Sequence, residues 1–417
     1  MGYFAAGSFN LSVAYLSGQL NATFDIEKYI RQHLGDRVIP YGHLLTVVYG
    51  SLFVFGLFGN FSTICLLLIW NRSRNWNGID PYVMNLALTD LVQTLVSLPL
   101  EIYKYWNQYP WVFGQFICSS IALLAEAALC SSILTIIAFT IERFIAVVHP
   151  MKAYRSYRGA RPWKTILLCW LLAIVNSVPF AYYHNVNVLQ SPDGIDIAEA
   201  SWCAIHYNLN AQLAPLFLYS AVTFYAVPML LLIVLHLKIW IVVQKRALAA
   251  KEEEEAYTCP PSPPFTDPNL TFGTIDLHLQ AAYSKRPSRL SVCSRTYEQH
   301  CQSNKRLFYG LLAIVINFFL CYGLFHAQRL MFALVDWNDR EEARKMYQIN
   351  SILFPVSGFL YHANPALDSI LYSLMSEKFR QICSKVCRCP VYLKCRSRSN
   401  SAPVDDLNCN KAVTAEL

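Results

Sequence analysis

The chain has 417 residues, of which 55% are hydrophobic and only 15% are charged. Such a composition excludes a water-soluble domain of this size, because a single core cannot bury that much apolar surface. The formal net charge is +7, yet the basic residues are spread over several connections instead of forming one patch. The charge therefore does not indicate nucleic-acid binding.

Apolar stretches of membrane-crossing length recur along the chain. A transmembrane helix needs about 20 apolar residues, and these stretches are apolar on every side, unlike the alternation of a half-buried strand. The predicted spans 1 to 7 lie near 43–70, 81–103, 116–141, 164–183, 212–243, 307–335 and 348–374. The predicted fold class is an all-α integral membrane protein, a seven-transmembrane helix bundle with a short amphipathic helix after span 7.

The charges of the connections predict the orientation of the bundle. Lysine and arginine are enriched between spans 1 and 2, between spans 3 and 4 and after span 7, so the positive-inside rule places these segments in the cytoplasm. The connection between spans 4 and 5, about 184–211, has neither residue. The N-terminus is then expected outside the plasma membrane, where the sequons at Asn10 and Asn21 are predicted glycosylation sites.

These patterns divide the chain into segments. Residues 1–42 are predicted as an extracellular glycosylated tail, 43–375 as the bundle, and 376–417 as a cytoplasmic amphipathic helix and tail. Within the bundle, 245–303 is rich in Glu, Pro and Ser and is predicted to be a disordered third cytoplasmic loop. Its proline run either tethers the spans or binds a proline-recognising module.

The cysteines indicate two different roles. Cys118 at the top of span 3 and Cys203 between spans 4 and 5 are the cysteines predicted on the oxidising side, so they should form a disulfide. Cys383, Cys387 and Cys389 follow span 7 in the predicted cytoplasmic tail. We interpret them as palmitoylation sites, because no histidine joins them at zinc-like spacing. A metal cluster is the alternative interpretation.

Ionisable residues in the outer part of the spans predict a binding site, because a charge inside a membrane is costly unless it faces the bundle interior. Glu101 in span 2 and Glu126 in span 3 fall at depths that let both face one mouth. We expect no lysine or arginine close in sequence to pair with them, so they suit an incoming guanidinium group. Arg329 in span 6 either binds a ligand carbonyl or carboxylate or pairs with one of these acids.

A second polar layer lies deeper in the bundle. Oxygen-bearing residues of spans 2, 3 and 7 share one depth, at Asp90, Ser132, Asn364 and Asp368. They suit a hard cation such as sodium, which is the one cofactor we consider, or they form a purely hydrogen-bonded network. No other metal site is predicted.

A third polar layer lies at the inner end of span 3, where Glu142 and Arg143 are adjacent. An ion pair at this position can latch a helix bundle closed. A solvated pair at the membrane interface is the alternative interpretation.

Several short strings resemble the rhodopsin-like family of G-protein-coupled receptors, and they occur in the family's order over about 43–385. Spans 1 to 3 contribute Gly59-Asn60, LALTDL at 86–91, WVFG at 111–114 before Cys118, and IERF at 141–144. Trp170, Pro228, Phe318 and Cys321 continue the series through spans 4, 5 and 6. No single string is specific, but their ordered conjunction is.

Within that family, FHAQRLM at 325–331 and YSLMS at 372–376 resemble the receptors for neuromedin U, pyrokinin and CAPA peptides. Receptors for ghrelin, motilin and neurotensin share parts of these strings. The resemblance implies that the acids matching Glu101 and Glu126 receive the arginine of an amidated Pro-Arg-x peptide. Phe325, His326 and Gln328, beside Arg329, are further expected ligand contacts.

The hinge strings depart from the family pattern. Span 6 usually reads Cys-Trp-x-Pro and here reads CYGL at 321–324, while span 7 has Asp368 where the Asn-Pro-x-x-Tyr string usually begins. An Asn364-Pro365 pair lies four residues earlier. The residues expected to set the switch and the G-protein coupling, in addition to Glu142 and Arg143, are His236, Phe318, Tyr322 and Tyr372.

The resulting hypothesis is a plasma-membrane neuropeptide receptor that signals through a heterotrimeric G protein. Arrestin, receptor kinases and membrane lipids are further expected partners. The alternatives are a divergent receptor that binds peptide without efficient coupling, as a scavenger or a partner subunit, and a peptide receptor of the ghrelin or neurotensin type. A retinal protein needs a span 7 lysine, which 347–374 lacks, and the His-Glu-x-x-His and Gly-x-Ser-x-Gly strings of hydrolases do not occur. An enzyme is therefore not expected.

Overall fold

The computed structural model describes most of the chain between its two termini. It covers residues 25–39, 41–71, 80–149, 161–205, 214–258, 287–335 and 339–375. The predicted glycosylation sites at Asn10 and Asn21 lie outside the described residues. The same holds for Cys383, Cys387 and Cys389 and for the amphipathic helix predicted after span 7.

Each predicted span corresponds to a long helix. Spans 1 to 4 are Gly42–Asn71, Asp80–Trp106, Gly114–Val148 and Arg161–Tyr183. Span 5 is Ala214–Ala221 continued through one π-helical turn by Val227–Thr258, span 6 is Pro287–Leu334, and span 7 is Arg340–Met375. Within the described residues, six of these helices are long and apolar enough to cross a membrane. Span 7 is more polar, and it packs against spans 1, 2 and 6.

Span 3 lies at the centre of the bundle, where it packs against spans 2, 4 and 5. Its side chains at Leu129 and Ile133 join Phe318 and Tyr322 of span 6 in the main apolar cluster. Large apolar side chains also cover the outside of the bundle, as at Leu320, which is 66% exposed. An outer surface of this kind is stable only against lipid, which agrees with a membrane-spanning bundle.

Spans 1 and 7 approach closely because small and polar residues meet between them. A side chain at Gly59 would collide with the hydroxyl of Ser369. At the next residue, the buried amide of Asn60 donates hydrogen bonds of 2.9 Å to the backbone carbonyls of Gly56 and Pro365. Asn60 therefore ties span 1 to the proline of span 7.

The helices of spans 5 and 6 extend into the loop predicted at 245–303. Span 5 continues to Thr258 and span 6 already begins at Pro287, so both ends of the segment predicted to be disordered are helical. The sequence ALAAKEEEEA at 247–256 consists of strong helix formers, which explains the extension. The proline run that follows at 260–264 lies outside the described residues.

A β-hairpin that the sequence analysis did not predict connects spans 4 and 5. Strand β1 (His184–Gln190) pairs antiparallel with β2 (Asp196–Ile205), with Val186 opposite Cys203. The alternation of asparagine and valine at 185–188 is the strand signal that could have revealed it. We call the end of the bundle that carries this hairpin the hairpin end.

A short helix (Ile26–Leu34) lies within the segment predicted as a tail and covers the hairpin. Asp25 caps its start by accepting a hydrogen bond from the backbone N–H of Lys28, and Gly35 ends it at a φ of 80°. Ile30 and Leu34, one turn apart, pack with Tyr109, Ala200 and Trp202. The N-terminal helix is thus anchored by one apolar face.

Ile30→Ala should loosen this helix, because deleting a buried isoleucine side chain costs about 2–5 kcal/mol of local packing. Hydrogen–deuterium exchange should then accelerate in both 26–34 and the hairpin. Ile26→Ala is the matched control, since Ile26 is 47% exposed on the same helix. Equal exchange in the two variants would show that the helix is not held by this contact.

Candidate ligand-binding site

The predicted disulfide between Cys118 and Cys203 is confirmed. It joins the start of span 3 to β2, and both cysteines line the cavity described below. The side chain of Gln115 adds two hydrogen bonds to β1, one to the carbonyl of His184 and one from the N–H of Val186. The hairpin is therefore fixed against span 3 at the mouth of the bundle.

A cavity opens at the hairpin end between spans 2, 3, 4, 6 and 7, with the hairpin as part of its wall. The acidic and basic side chains in its lining are Glu101, Lys104, Glu126 and Arg329. His184 of β1 and His362 of span 7 also line it, and burial lowers the pKa of His184 to about 4, so the His184 ring is neutral at physiological pH. Two carboxylates thus face two basic side chains in the lining.

Glu126 and Arg329 form a buried, bidentate ion pair. The guanidinium donates from Nη1 to Oε1 at 3.0 Å and from Nη2 to Oε2 at 2.9 Å, with side-chain exposures of only 6% and 7%. The rings of Phe180, Phe217 and Phe325 surround the cation, the last at 4.1 Å. Of the two roles left open for Arg329, the structure shows pairing with an acid.

Glu101 is also paired, which corrects the expectation that it has no basic neighbour. Lys104, three residues later on the same helix face, places its Nζ 3.5 Å from Oε2 of Glu101. The side chain of Glu101 is 17% exposed and that of Lys104 is 30% exposed. The sequence already contained this i,i+3 pair, which a check of helix-face neighbours would have found.

The other predicted ligand contacts separate in the structure. Phe325 lines the cavity and packs its ring 4.8 Å from that of Tyr361. Gln328 lines it too, accepting a hydrogen bond from Ser357 and donating one to Asn350 of span 7 at 2.9 Å. His326 does not belong to the lining, because its buried ring faces Tyr225 of span 5, with centroids 5.3 Å apart.

The predicted cation site is a hydrogen-bonded cluster that includes a residue not predicted from the sequence. Asn317 of span 6 donates to Asn364 at 3.0 Å and to Asp368 at 2.9 Å, and Asn364 donates to Asp368 at 3.1 Å. Ser132 is not part of it, since its hydroxyl donates to Thr89. Amide donors around Asp368 fit the hydrogen-bonded alternative, and the sodium ion stays a prediction.

Tyr372, a predicted switch residue, adds Asp90 to this deeper region. Its hydroxyl lies 3.5 Å from Oδ2 of Asp90, and both side chains are buried. The phenol therefore connects span 7 to span 2 below the cavity.

Gln93 of span 2 joins spans 6 and 7 beneath the cavity. Pro365 has no N–H, so the carbonyl of Tyr361 one turn earlier lacks its usual helical donor. The side-chain amide of Gln93 donates to that carbonyl at 3.2 Å and accepts a hydrogen bond from the hydroxyl of Tyr322 at 2.9 Å. Tyr322 also packs on Phe318, another predicted switch residue, at 4.6 Å. Tyrosine in place of the usual tryptophan is therefore part of a bridge across three spans.

The remaining switch residues lie toward the opposite end of the bundle. Glu142 accepts a hydrogen bond from Tyr82 of span 2, and the guanidinium of Arg143 lies 5.6 Å from the ring centroid of Phe139. His236 is buried, makes a 2.8 Å hydrogen bond through Nδ1 to the carbonyl of Leu232, and packs on Phe308 of span 6. The latch role of Glu142 and Arg143 stays a prediction.

A comparison with known protein families identifies the family to which this architecture belongs. The family model of the 7 transmembrane receptor (rhodopsin family) matches residues 59–372. The chain belongs to this receptor family. It is a receptor rather than an enzyme, and it departs from the family's usual strings at Tyr322 and Asp368, two residues that the structure places in its buried polar contacts.

Three relatives illustrate where this receptor lies within the family. The neuromedin U receptor homologue nmur-2 of Caenorhabditis elegans is 27% identical over 385 residues, covering 87% of this chain and 84% of its own. The pyrokinin-1 receptor of Drosophila melanogaster is 29% identical over 354 residues, covering 82% and 78%. Neuromedin-U receptor 2 of Mus musculus is 28% identical over 366 residues, covering 87% and 78%.

Glu126→Gln should destabilise the receptor by about 3–5 kcal/mol, because it leaves the Arg329 cation buried without a counter-charge. The melting temperature of the detergent-purified protein should fall, and the double variant Glu126→Gln/Arg329→Met should recover part of the loss. The exposed pair of Glu341 and Lys345 provides the control, and Glu341→Gln should change nothing. An unchanged melting temperature for Glu126→Gln would contradict the buried pair.

Tyr322→Phe should cost about 1–3 kcal/mol of stability, because the buried side-chain oxygen of Gln93 loses its hydrogen-bond donor. Tyr309→Phe removes the same hydroxyl from the same helix at a position that is 53% exposed. Thermal unfolding of the two variants should differ by several degrees. Coinciding curves would remove Tyr322 from the bridge.

Proposed function

We propose that this receptor lies in the plasma membrane with its hairpin end outside the cell and binds an extracellular neuropeptide there. The peptide is amidated and carries a basic residue near its C-terminus, and the bound receptor activates a heterotrimeric G protein. The names of the relatives support the peptide class, since two are neuromedin U receptors or homologues and one is a pyrokinin receptor. The disulfide at the hairpin end supports the orientation, because disulfides persist on the oxidising side.

The observation that carries this proposal is the polar lining of the cavity. Glu101 offers a carboxylate for a cation, and its pair with Lys104 is long. Arg329 uses both terminal nitrogens on Glu126, and its Nε, which has no hydrogen-bond partner among the described residues, is buried. A peptide that brings a guanidinium to Glu101 therefore supplies a bidentate partner for the carboxylate that is less firmly held.

Ligand binding is transmitted to the G protein through side chains that line the cavity and also contact the bundle interior. Phe325 and Tyr361 are cavity residues, and the ring of Tyr361 lies 5.4 Å from that of Tyr322. A ligand that shifts these rings acts on the Gln93 bridge and so on span 6. Outward movement of the far end of span 6 then opens the region of Arg143 to a G protein.

A second candidate is a receptor that binds the peptide without efficient coupling. The observation that favours it is the set of altered switch residues. His236 forms its hydrogen bond within its own helix, and Tyr322 is held by Gln93. In this case the peptide binds, but no second-messenger response follows.

Cells that express the receptor and a calcium or cyclic-nucleotide reporter should respond to amidated peptides ending in Pro-Arg-x, presented as a panel in which x varies. Glu101→Gln should raise the half-maximal concentration about 10- to 100-fold, because a charge-assisted hydrogen bond is lost. Glu341→Gln is the control at an exposed glutamate of the same end.

Binding of labelled peptide without a reporter response would select the second candidate. Absence of both binding and response across the panel, with normal surface expression, would overturn the proposal.

A further inference from the structure

The two carboxylates of the cavity differ in how firmly they are held. Glu126 makes two hydrogen bonds of 2.9–3.0 Å with Arg329 and is almost fully buried. A second cation gains little there, because the acceptor positions of Glu126 already face a guanidinium fork. Among the described residues, the ion pair of Glu101 is with the ammonium group of Lys104, at 3.5 Å. An incoming cation can therefore displace the partner of Glu101 more easily than that of Glu126.

The partner of Glu101 is poorly suited to hold it. Charge-assisted hydrogen bonds are typically about 2.7–2.9 Å long, so the 3.5 Å separation leaves Lys104 short of a good one. Lysine presents a compact charge on a flexible stem, whereas arginine presents a fork that matches a carboxylate. Lys104 is also 30% exposed, so its ammonium can return to water when it is displaced.

The weak pair of Glu101 and Lys104 affects the charge balance of the cavity. With Lys104 in place, the two carboxylates of the cavity lining are matched by the ammonium of Lys104 and the guanidinium of Arg329. A peptide cation that takes Glu101 must replace one positive charge by another. The net gain then depends on how much better the peptide's group fits the carboxylate than Lys104 does.

We propose that Lys104 is a specificity-determining residue, a tethered cation that occupies Glu101 in the ligand-free receptor and is displaced by the cationic side chain of the peptide. The inference rests on the proposed function, which supplies the cationic peptide. It predicts that a guanidinium binds better than an ammonium group, because only the bidentate fork improves on the lysine already present. Lys104 thus sets the threshold that a ligand's charge must exceed.

The test compares three side chains at one position. Lys104→Met removes the competitor, so the half-maximal concentration of an amidated Pro-Arg-x peptide should fall about five- to tenfold. Lys104→Arg supplies a stronger competitor and should raise it. Lys345→Met is the control, because Lys345 also pairs with a glutamate on its own helix but is 68% exposed.

Two further arms assign the effect to charge competition at Glu101. The gain of Lys104→Met should vanish for the same peptide with citrulline in place of arginine, and it should vanish in the Glu101→Gln background. An unchanged half-maximal concentration in Lys104→Met, with the unmodified receptor responding normally, would overturn the role of Lys104 while leaving the proposed function intact. Failure of every variant to bind either peptide would overturn the proposed function and this role with it.

Discussion

The buried ion pair between Glu126 and Arg329 is the contact on which the arrangement of the site depends. It joins spans 3 and 6 inside the cavity wall, and neither partner can leave without stranding a charge away from water. Three phenylalanine rings enclose the cation and exclude solvent further. Because the pair occupies Glu126 and ties span 6 to span 3 at the hairpin end, the proposed recognition of a cation falls to Glu101 and the proposed movement to the far half of span 6.

Below the cavity, the constraint is the hydrogen bonding of a proline inside a membrane helix. Pro365 deprives the carbonyl of Tyr361 of its helical donor, and in a lipid environment such a group must find a partner within the protein. Gln93 supplies that partner and in turn fixes Tyr322. The same glutamine thus binds the carbonyl freed by Pro365 in span 7 and the hydroxyl of Tyr322 in span 6. These two departures from the family pattern are therefore linked.

Features set by local sequence could be predicted, whereas features set by contacts between distant residues could not. Apolar length determines the spans and the disulfide follows from cysteine position, so both were predictable. The hairpin and the N-terminal helix were missed although local signals for them exist, in the alternation at 185–188 and in the Asp25 cap. What the sequence does not reveal is that the two pack together, because contacts such as Ile30 against Trp202 join distant segments. Arg329 and Glu126 lie 203 residues apart, so their pairing could be stated only as an alternative. Lys104 was the avoidable omission, since it lies on the same helix face as Glu101.

A cryo-electron-microscopy structure of the receptor with a bound amidated Pro-Arg-x peptide tests the central claim most directly. The account predicts the peptide's guanidinium on the carboxylate of Glu101, the ammonium of Lys104 turned away, and the bidentate pair of Glu126 and Arg329 still closed. A guanidinium bound to Glu126 with Arg329 displaced would contradict it.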